Sequence, residues 1–124
     1  MASHNDIGKM GEHLAQQYLR DHGYAILETN WRMGKLEADI IAYKEGLVVF
    51  VEVKTRSSSL FGEPESFVDY KKQRAYVKMA NAYVRMRRRS EEVRCDVIAI
   101  TLHSSGYSIN HIEQAFSAPE VYHR

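Results

Sequence analysis

Two pairs of residues near the middle of the chain have the types and spacing of a hydrolytic metal site: Glu37 and Asp39 in "EADIIAY", and Glu52 and Lys54 in "LVVFVEVKTR". Side chains alternate faces along a strand, so each pair shares one face. The connection "AYKEG" is short enough for an antiparallel hairpin. Counting outward from a turn near Lys44 to Gly46 sets Asp39 about five or six residues before it and Glu52 about six after, near one another across the pair. Two carboxylates ~4 Å apart at an effective dielectric of ~20 repel by about 4 kcal/mol, a large part of a small domain's stability. A shared proton, a nearby lysine or a hard cation such as Mg²⁺ offsets that cost.

The order Asp, about a dozen residues, then Glu-x-Lys is the pattern of metal-dependent phosphodiester cleavage. In that chemistry the carboxylates hold Mg²⁺ against a phosphate oxygen and the metal lowers the pKa of a bound water. The lysine orients that water or stabilises developing charge. The expectation is therefore that Asp39 and Glu52 are metal ligands for Mg²⁺ or Mn²⁺, with Lys54 beside them. A plainer reading of the same strand is that it reaches solvent at its C-terminal end, where Lys54, Thr55 and Arg56 lead into "SSSLFG".

The elements that must position these residues follow from periodicity. "DIGKMGEHLAQQYLRDHG" carries Ile7, Gly11, Leu14, Ala15 and Tyr18 on one stripe, with Asp6 as a cap and Gly23 as a stop, which predicts a helix over about 6–22. "YAILETN" reads as a strand, "NWRMGK" as a turn, and "EADIIAY" and "LVVFVEVKT" as a hairpin. In the last strand Val49, Val51 and Val53 point one way and Val48, Phe50, Glu52 and Lys54 the other. Apolar residues on both faces are the mark of a strand covered on both sides.

Residues 57–66, rich in Ser, Gly and Pro, read as a loop. A long helix from Phe67 to about Arg89 follows, with Tyr76, Val77, Met79, Ala80, Tyr83 and Val84 on its apolar face. Strands at 95–102 and near 107–112 complete the order helix, three strands, helix, two strands. Strands that pair first and meet helices before and after indicate an α/β fold: a mixed central sheet of about five strands flanked by helices.

The chain of 124 residues has the size of one domain, residues 1–124, and can bury a core. One cysteine, Cys95, forms no internal disulfide and reads as a core residue. No segment resembles a signal peptide or a membrane helix, so cytoplasm is the expected location and no membrane partner is expected. The six histidines show no metal-ligand spacing, which argues against structural zinc; His13, beside Glu12, is the one to watch. Asp96, just after Arg94, reads equally as a structural Arg–Asp pair or as a site residue.

A formal net charge of +1 conceals an uneven distribution. Residues 70–94 hold nine basic and two acidic side chains, a net of +7, which leaves −6 elsewhere. On a helical wheel Lys71, Arg74, Lys78, Arg85 and Arg89 lie within about 60°. Such a stripe is either merely solvated or a contact surface for a phosphate backbone, giving affinity without sequence preference. Trp31 and Arg32 can stack on an unpaired base or pack under the sheet.

"GEHLA", "GYAILETNWR", "EADIIA", "LVVFVEVKTR", "FGEP", "KKQR", "MANAY", "RCDVIAI" and "HIEQAF" together resemble the YraN-like family of uncharacterised bacterial proteins. That family is similar to archaeal Holliday junction resolvases and to the restriction-endonuclease-like superfamily. The resemblance spans nearly the whole chain, with one departure at Leu36, where the family usually has glycine. It implies a restriction-endonuclease-like fold and puts Asp39, Glu52 and Lys54 on the catalytic positions. Glu12 then falls where related resolvases carry a further acidic residue, and Glu37 becomes a second acidic group at the mouth of the site. Lys72 and Gln73 match helix residues that approach the metal or the scissile phosphate.

The implied activity is a Mg²⁺-dependent endonuclease on DNA, with branched or Holliday-junction-like DNA as a substrate class and a homodimer if two sites must face one branch. Lys71, Lys72, Gln73, Arg74, Lys78, Arg85 and Arg56 are then the expected nucleic-acid contacts. The alternative is a non-catalytic nucleic-acid-binding or assembly module that retains the nuclease fold.

Overall fold

The computed structural model describes residues 4–57 and 69–116. Over those residues the order is α1 (His4–Asp21), β1 (Ala25–Met33), β2 (Leu36–Lys44), β3 (Leu47–Ser57), α2 (Tyr70–Met86), β4 (Glu92–His103) and β5 (Gly106–Phe116). The strands form one five-stranded mixed sheet in the order β1-β2-β3-β4-β5. Only β3 and β4, joined through α2, run parallel; the other neighbours are antiparallel. This is the expected α/β architecture, consistent with a restriction-endonuclease-like fold.

The stop at Gly23 acts as expected, but Asp6 is not the cap of α1: the helix already runs from His4, so Asp6 lies in its first turn. Gly23, at φ 88°, ends α1: Tyr24 N–H reaches Leu19 O at 2.9 Å and Gly23 N–H reaches Arg20 O at 3.1 Å. Asp69 caps α2, its carboxylate accepting Lys72 N–H at 2.8 Å. The expected start of this helix at Phe67, the loop from 58 onward and "FGEP" lie outside the described residues. The helix stops at Met86 rather than near Arg89, and Arg88 takes φ 53°, so Arg89 leaves the helical stripe.

The β2–β3 turn uses Glu45 and Gly46, both at positive φ, as a tight two-residue hairpin requires. The reading of "NWRMGK" as a turn is corrected: Asn30, Trp31, Arg32 and Met33 belong to β1, and the chain reverses at Gly34 and Lys35. Trp31 pairs with Ala38, and its ring meets Tyr83 edge-on at 5.2 Å, which makes it a packing residue. Leu36, the departure from the family pattern, packs with the same cluster and pairs with Met33 at the hairpin end. Strands β4 and β5 run longer than expected because pairing with β3 and with each other extends them.

Alternation on β3 divides the core in two. Val48 and Phe50 pack with Tyr76, Met79 and Tyr83 of α2. Val49 and Val51 pack with Ala15 and Leu19 of α1. Each helix therefore covers one face. Gly11 lets α1 come close to β3, since a Cβ there would lie 1.8 Å from Thr55 Oγ1. That close approach brings the turn of α1 carrying Glu12 down onto the sheet.

Candidate active site

Strands β2 and β3 pair from Lys44↔Leu47 to Ile40↔Val51 and no further. β2 goes on pairing with β1 as far as Leu36, and β3 goes on pairing with β4 as far as Ser57. The sheet thus opens between its central strands, and the candidate residues lie at the vertex. Asp39 is the first β2 residue past the last pair, and its Oδ2 accepts the Val53 backbone N–H at 2.8 Å. Glu52, the residue after Val51, is only 5 % exposed. The plain reading of a strand running out into solvent therefore fails at Glu52.

Tyr76 of α2 holds both residues. Its hydroxyl donates to Glu52 Oε1 at 2.6 Å and accepts the Asp39 backbone N–H at 3.1 Å. Burial first, then the Asp39 and Glu52 charges, keeps its phenol pKa well above the usual value, so it serves as a proton donor. The other oxygen of Glu52, Oε2, faces two ammonium groups: Lys72 Nζ at 3.6 Å and Lys54 Nζ at 3.9 Å.

Burial and the Glu52 charge push the Asp39 carboxyl up to about 8, with Glu12 adding to the rise and the Val53 N–H and Lys72 opposing it. Without a cation the pair retains a proton at neutral pH. Glu12 is half-buried on α1, and its Oε1 accepts from Asn30 Nδ2 at 3.1 Å.

The remaining candidates divide. Glu37 lies 3.5 Å from Arg32, its partner across the β1–β2 pair, and so has its own counter-ion at the rim. Arg56 follows Glu52 and Lys54 on the same strand face, and its Nε and Nη1 are buried without a hydrogen-bond partner among the described residues. Gln73 is half-buried one turn before Tyr76, whereas Lys71, Arg74, Lys78 and Arg85 are exposed along α2. The Arg74 guanidinium lies 5.7 Å from the Tyr70 ring centroid. Arg87 and Arg89 are engaged elsewhere, with Glu28 at 3.2 Å and Glu91 at 2.9 Å respectively.

His13 is exposed. Asp96 is structural: fully buried, it accepts from Arg94 Nε and Nη2 at 2.9 Å, from the Gln114 N–H at 3.0 Å, and lies 2.8 Å from His111 Nε2. Burial alone would raise its pKa, but these hydrogen bonds outweigh it and hold the carboxyl below its ordinary value. Cys95 is a core residue, its thiol pushed up to about 12 by burial and by Asp96.

Among the described residues no group of three or more His, Cys, Asp or Glu side chains converges to hold a metal. The donor set at the vertex is two carboxylates: Asp39, whose Oδ2 accepts the Val53 N–H, and Glu52, whose Oε1 accepts from Tyr76 and whose Oε2 faces Lys72 and Lys54. That set suits Mg²⁺, which is usually held by one or two carboxylates and completes its shell with water and substrate phosphate.

The model of uncharacterised protein family UPF0102 matches residues 11–100. The chain belongs to this family. UPF0102 relatives include a protein of Flavobacterium psychrophilum, 49% identical over 116 residues covering 94% of this chain and 98% of the relative. Another, from Bacteroides thetaiotaomicron, is 45% identical over 119 residues, covering 96% and 98%. A third, from Parabacteroides distasonis, is 47% identical over 119 residues with the same coverage. The UPF0102 match spans Glu12, Glu37, Asp39, Glu52, Lys54, Lys72 and Tyr76 alike.

Reading the UPF0102 sequence alone missed Tyr76 as a site residue, because it sits at a helical spacing that marks it as core. The available signal was its hydroxyl, one turn after Lys72. The Val53 backbone and Asn30 left no signal of this kind.

Proposed function

We propose that this chain is a divalent-cation-dependent endonuclease acting on DNA. The observation that carries the reading is the vertex itself: Asp39 and Glu52 stand where β2 and β3 part, with Lys54 and Lys72 at the Glu52 oxygen that Tyr76 leaves uncapped. A buried pair of neighbouring carboxylates costs stability, and a bound cation offsets that cost.

Asp39 and Glu52 would hold Mg²⁺ or Mn²⁺, which when bound supplies Lewis-acid polarisation and an acidified water. Lys54 stabilises charge that develops on the scissile phosphate or orients the attacking water. Lys72 approaches from α2 and neutralises Glu52 until substrate arrives. Arg56, whose buried Nε and Nη1 meet no acceptor among the described residues, suits a phosphate oxygen. Glu12 and Glu37 supply further negative charge around the vertex. Lys71, Arg74, Lys78 and Arg85, exposed on α2 with Gln73 on the same helix, would grip the backbone without reading sequence. Branched or Holliday-junction-like DNA is the substrate class that the resemblance adds, and cutting a junction symmetrically would require a homodimer.

Calorimetric titration of Mg²⁺ and Mn²⁺ into wild type and Asp39→Ala, beside cleavage assays on branched, flapped and linear DNA, tests the reading. Cation binding abolished in the variant together with metal-dependent cleavage by wild type supports it. DNA affinity without cation binding or cleavage would instead identify a binding module that keeps the fold.

A further inference from the structure

Tyr76 is fully buried, and its position is determined from several sides. Its ring meets Phe116 edge-on at 6.2 Å. Its hydroxyl accepts from Asp39 N–H at 3.1 Å and donates to Glu52 Oε1 at 2.6 Å, with Val51 O a more distant acceptor at 3.4 Å. One oxygen of Glu52 is therefore held by a short hydrogen bond from an immobile donor, which makes it the poorer ligand of the two. Its other oxygen faces Lys72 and Lys54, long side chains that can move away. Asp39 repeats the arrangement, with Oδ2 closed by the Val53 N–H.

We infer that Tyr76 restricts Glu52 to ligation through one oxygen and thereby biases the site toward small cations, Mg²⁺ or Mn²⁺, over Ca²⁺. The inference rests on the reading of Asp39 and Glu52 as cation ligands. Its chemistry is a matter of ligand count. Ca²⁺ takes about six to eight oxygens and readily accepts both oxygens of a carboxylate, whereas Mg²⁺ demands a near-octahedral shell and accepts single carboxylate oxygens plus water. A pair of carboxylates giving one oxygen each is poor for Ca²⁺ and adequate for Mg²⁺. Tyr76 reaches the cation only through Glu52 and is a positioning residue.

The test is a comparison of Mg²⁺ and Ca²⁺ dissociation constants, by calorimetry, in wild type and Tyr76→Phe, which removes one oxygen and keeps the ring. The expected result is that Mg²⁺ affinity falls roughly tenfold, as for loss of other outer partners of metal ligands, while Ca²⁺ affinity holds or rises. Equal weakening for both ions, or no change for either, would overturn the inference while leaving the cation site standing. Wild type that binds neither ion would overturn the cation reading itself and this inference with it.

Should Tyr76→Phe not fold, infrared difference spectra of wild type carrying ¹³C-labelled glutamate decide the matter. A single-oxygen carboxylate signature on adding Ca²⁺, the ion that ordinarily takes both oxygens, supports the inference. A two-oxygen signature refutes it.

Discussion

Asp39 Oδ2 accepts the backbone N–H of Val53 at 2.8 Å, at the position where β2 and β3 cease to pair. In a continued ladder that N–H would go to a β2 carbonyl. A side-chain carboxylate stands in for the backbone, so the strands part without leaving a buried donor unsatisfied. The opening of the sheet and the placing of the acidic group are one structural event.

The first prediction concerns pH. The Asp39 carboxyl is raised in the folded chain to about 8 from 3.8, so the native state binds the proton more tightly than the unfolded one. Its contribution is fully present below about pH 4 and is lost as pH rises toward 8. In chelator, wild type is expected to lose a few kcal/mol between pH 5 and 9 from this group, whereas Asp39→Asn, which keeps an acceptor for Val53, lacks that loss. Thermal melts of both proteins across this range check it, and parallel pH curves would refute the assignment.

Packing of α1 on β3 yields the second. A methyl at Gly11 would collide with Thr55, whose Cβ is also within 2.8 Å. Gly11→Ala should cost roughly 1 to 3 kcal/mol through overpacking. Thr55→Gly in the same chain should recover part of that loss, a coupling that a double-mutant cycle on denaturant midpoints measures. Purely additive effects would show that the close approach is not limiting.

Salt dependence separates the cationic residues of α2. Replacing Lys71, Arg74, Lys78 and Arg85 by Ala should reduce the slope of log K against log salt for duplex DNA by up to about 0.9 for each phosphate that the helix ceases to neutralise. Arg87→Ala should leave that slope nearly unchanged, because Arg87 already serves Glu28 and stacks on Tyr83. A common effect on the slope would mean that the ion pair does not hold Arg87 back.

A fourth prediction tests whether the second buried acid is structural. Asp96→Ala leaves Arg94 and His111 without their shared acceptor and should cost roughly 3 to 5 kcal/mol. Because its folded pKa is lowered, the stability Asp96 contributes is present above the unfolded value and is lost as pH falls through the folded one. Chemical denaturation at pH 7 and at pH 3 reads both effects. Asp96→Asn, tested for folding first, should leave cation affinity at Asp39 and Glu52 within a factor of two or so, since Asp96 shares none of its hydrogen-bond partners with them although it pairs with Val51 next to Glu52.

Much of this was legible in the order of residues. Alternation in "LVVFVEVKT" sorted the side chains of β3 into two faces, because strand geometry makes neighbours point to opposite sides, and the structure then assigned one face to α2 and the other to α1. The hairpin count brought Asp39 beside Glu52 because a tight turn at Glu45 and Gly46 fixes the register. Gly23 marked a helix end through backbone chemistry that involves only its own neighbours, whereas the cap at Asp69 was not singled out.

The sequence by itself thus determined the element types, the faces of β3 and the pairing of two carboxylates, all consequences of spacing within a few residues. Only the tertiary structure decided that β2 and β3 part at Asp39, that Arg32 answers Glu37, that Trp31 packs on Tyr83, and that Arg87 and Arg89 are already paired. It also decided that a tyrosine 24 positions from Glu52 closes one of its oxygens. These outcomes depend on how close separate elements come, and that distance is set by the summed packing of both helices on the sheet, a quantity no local pattern encodes.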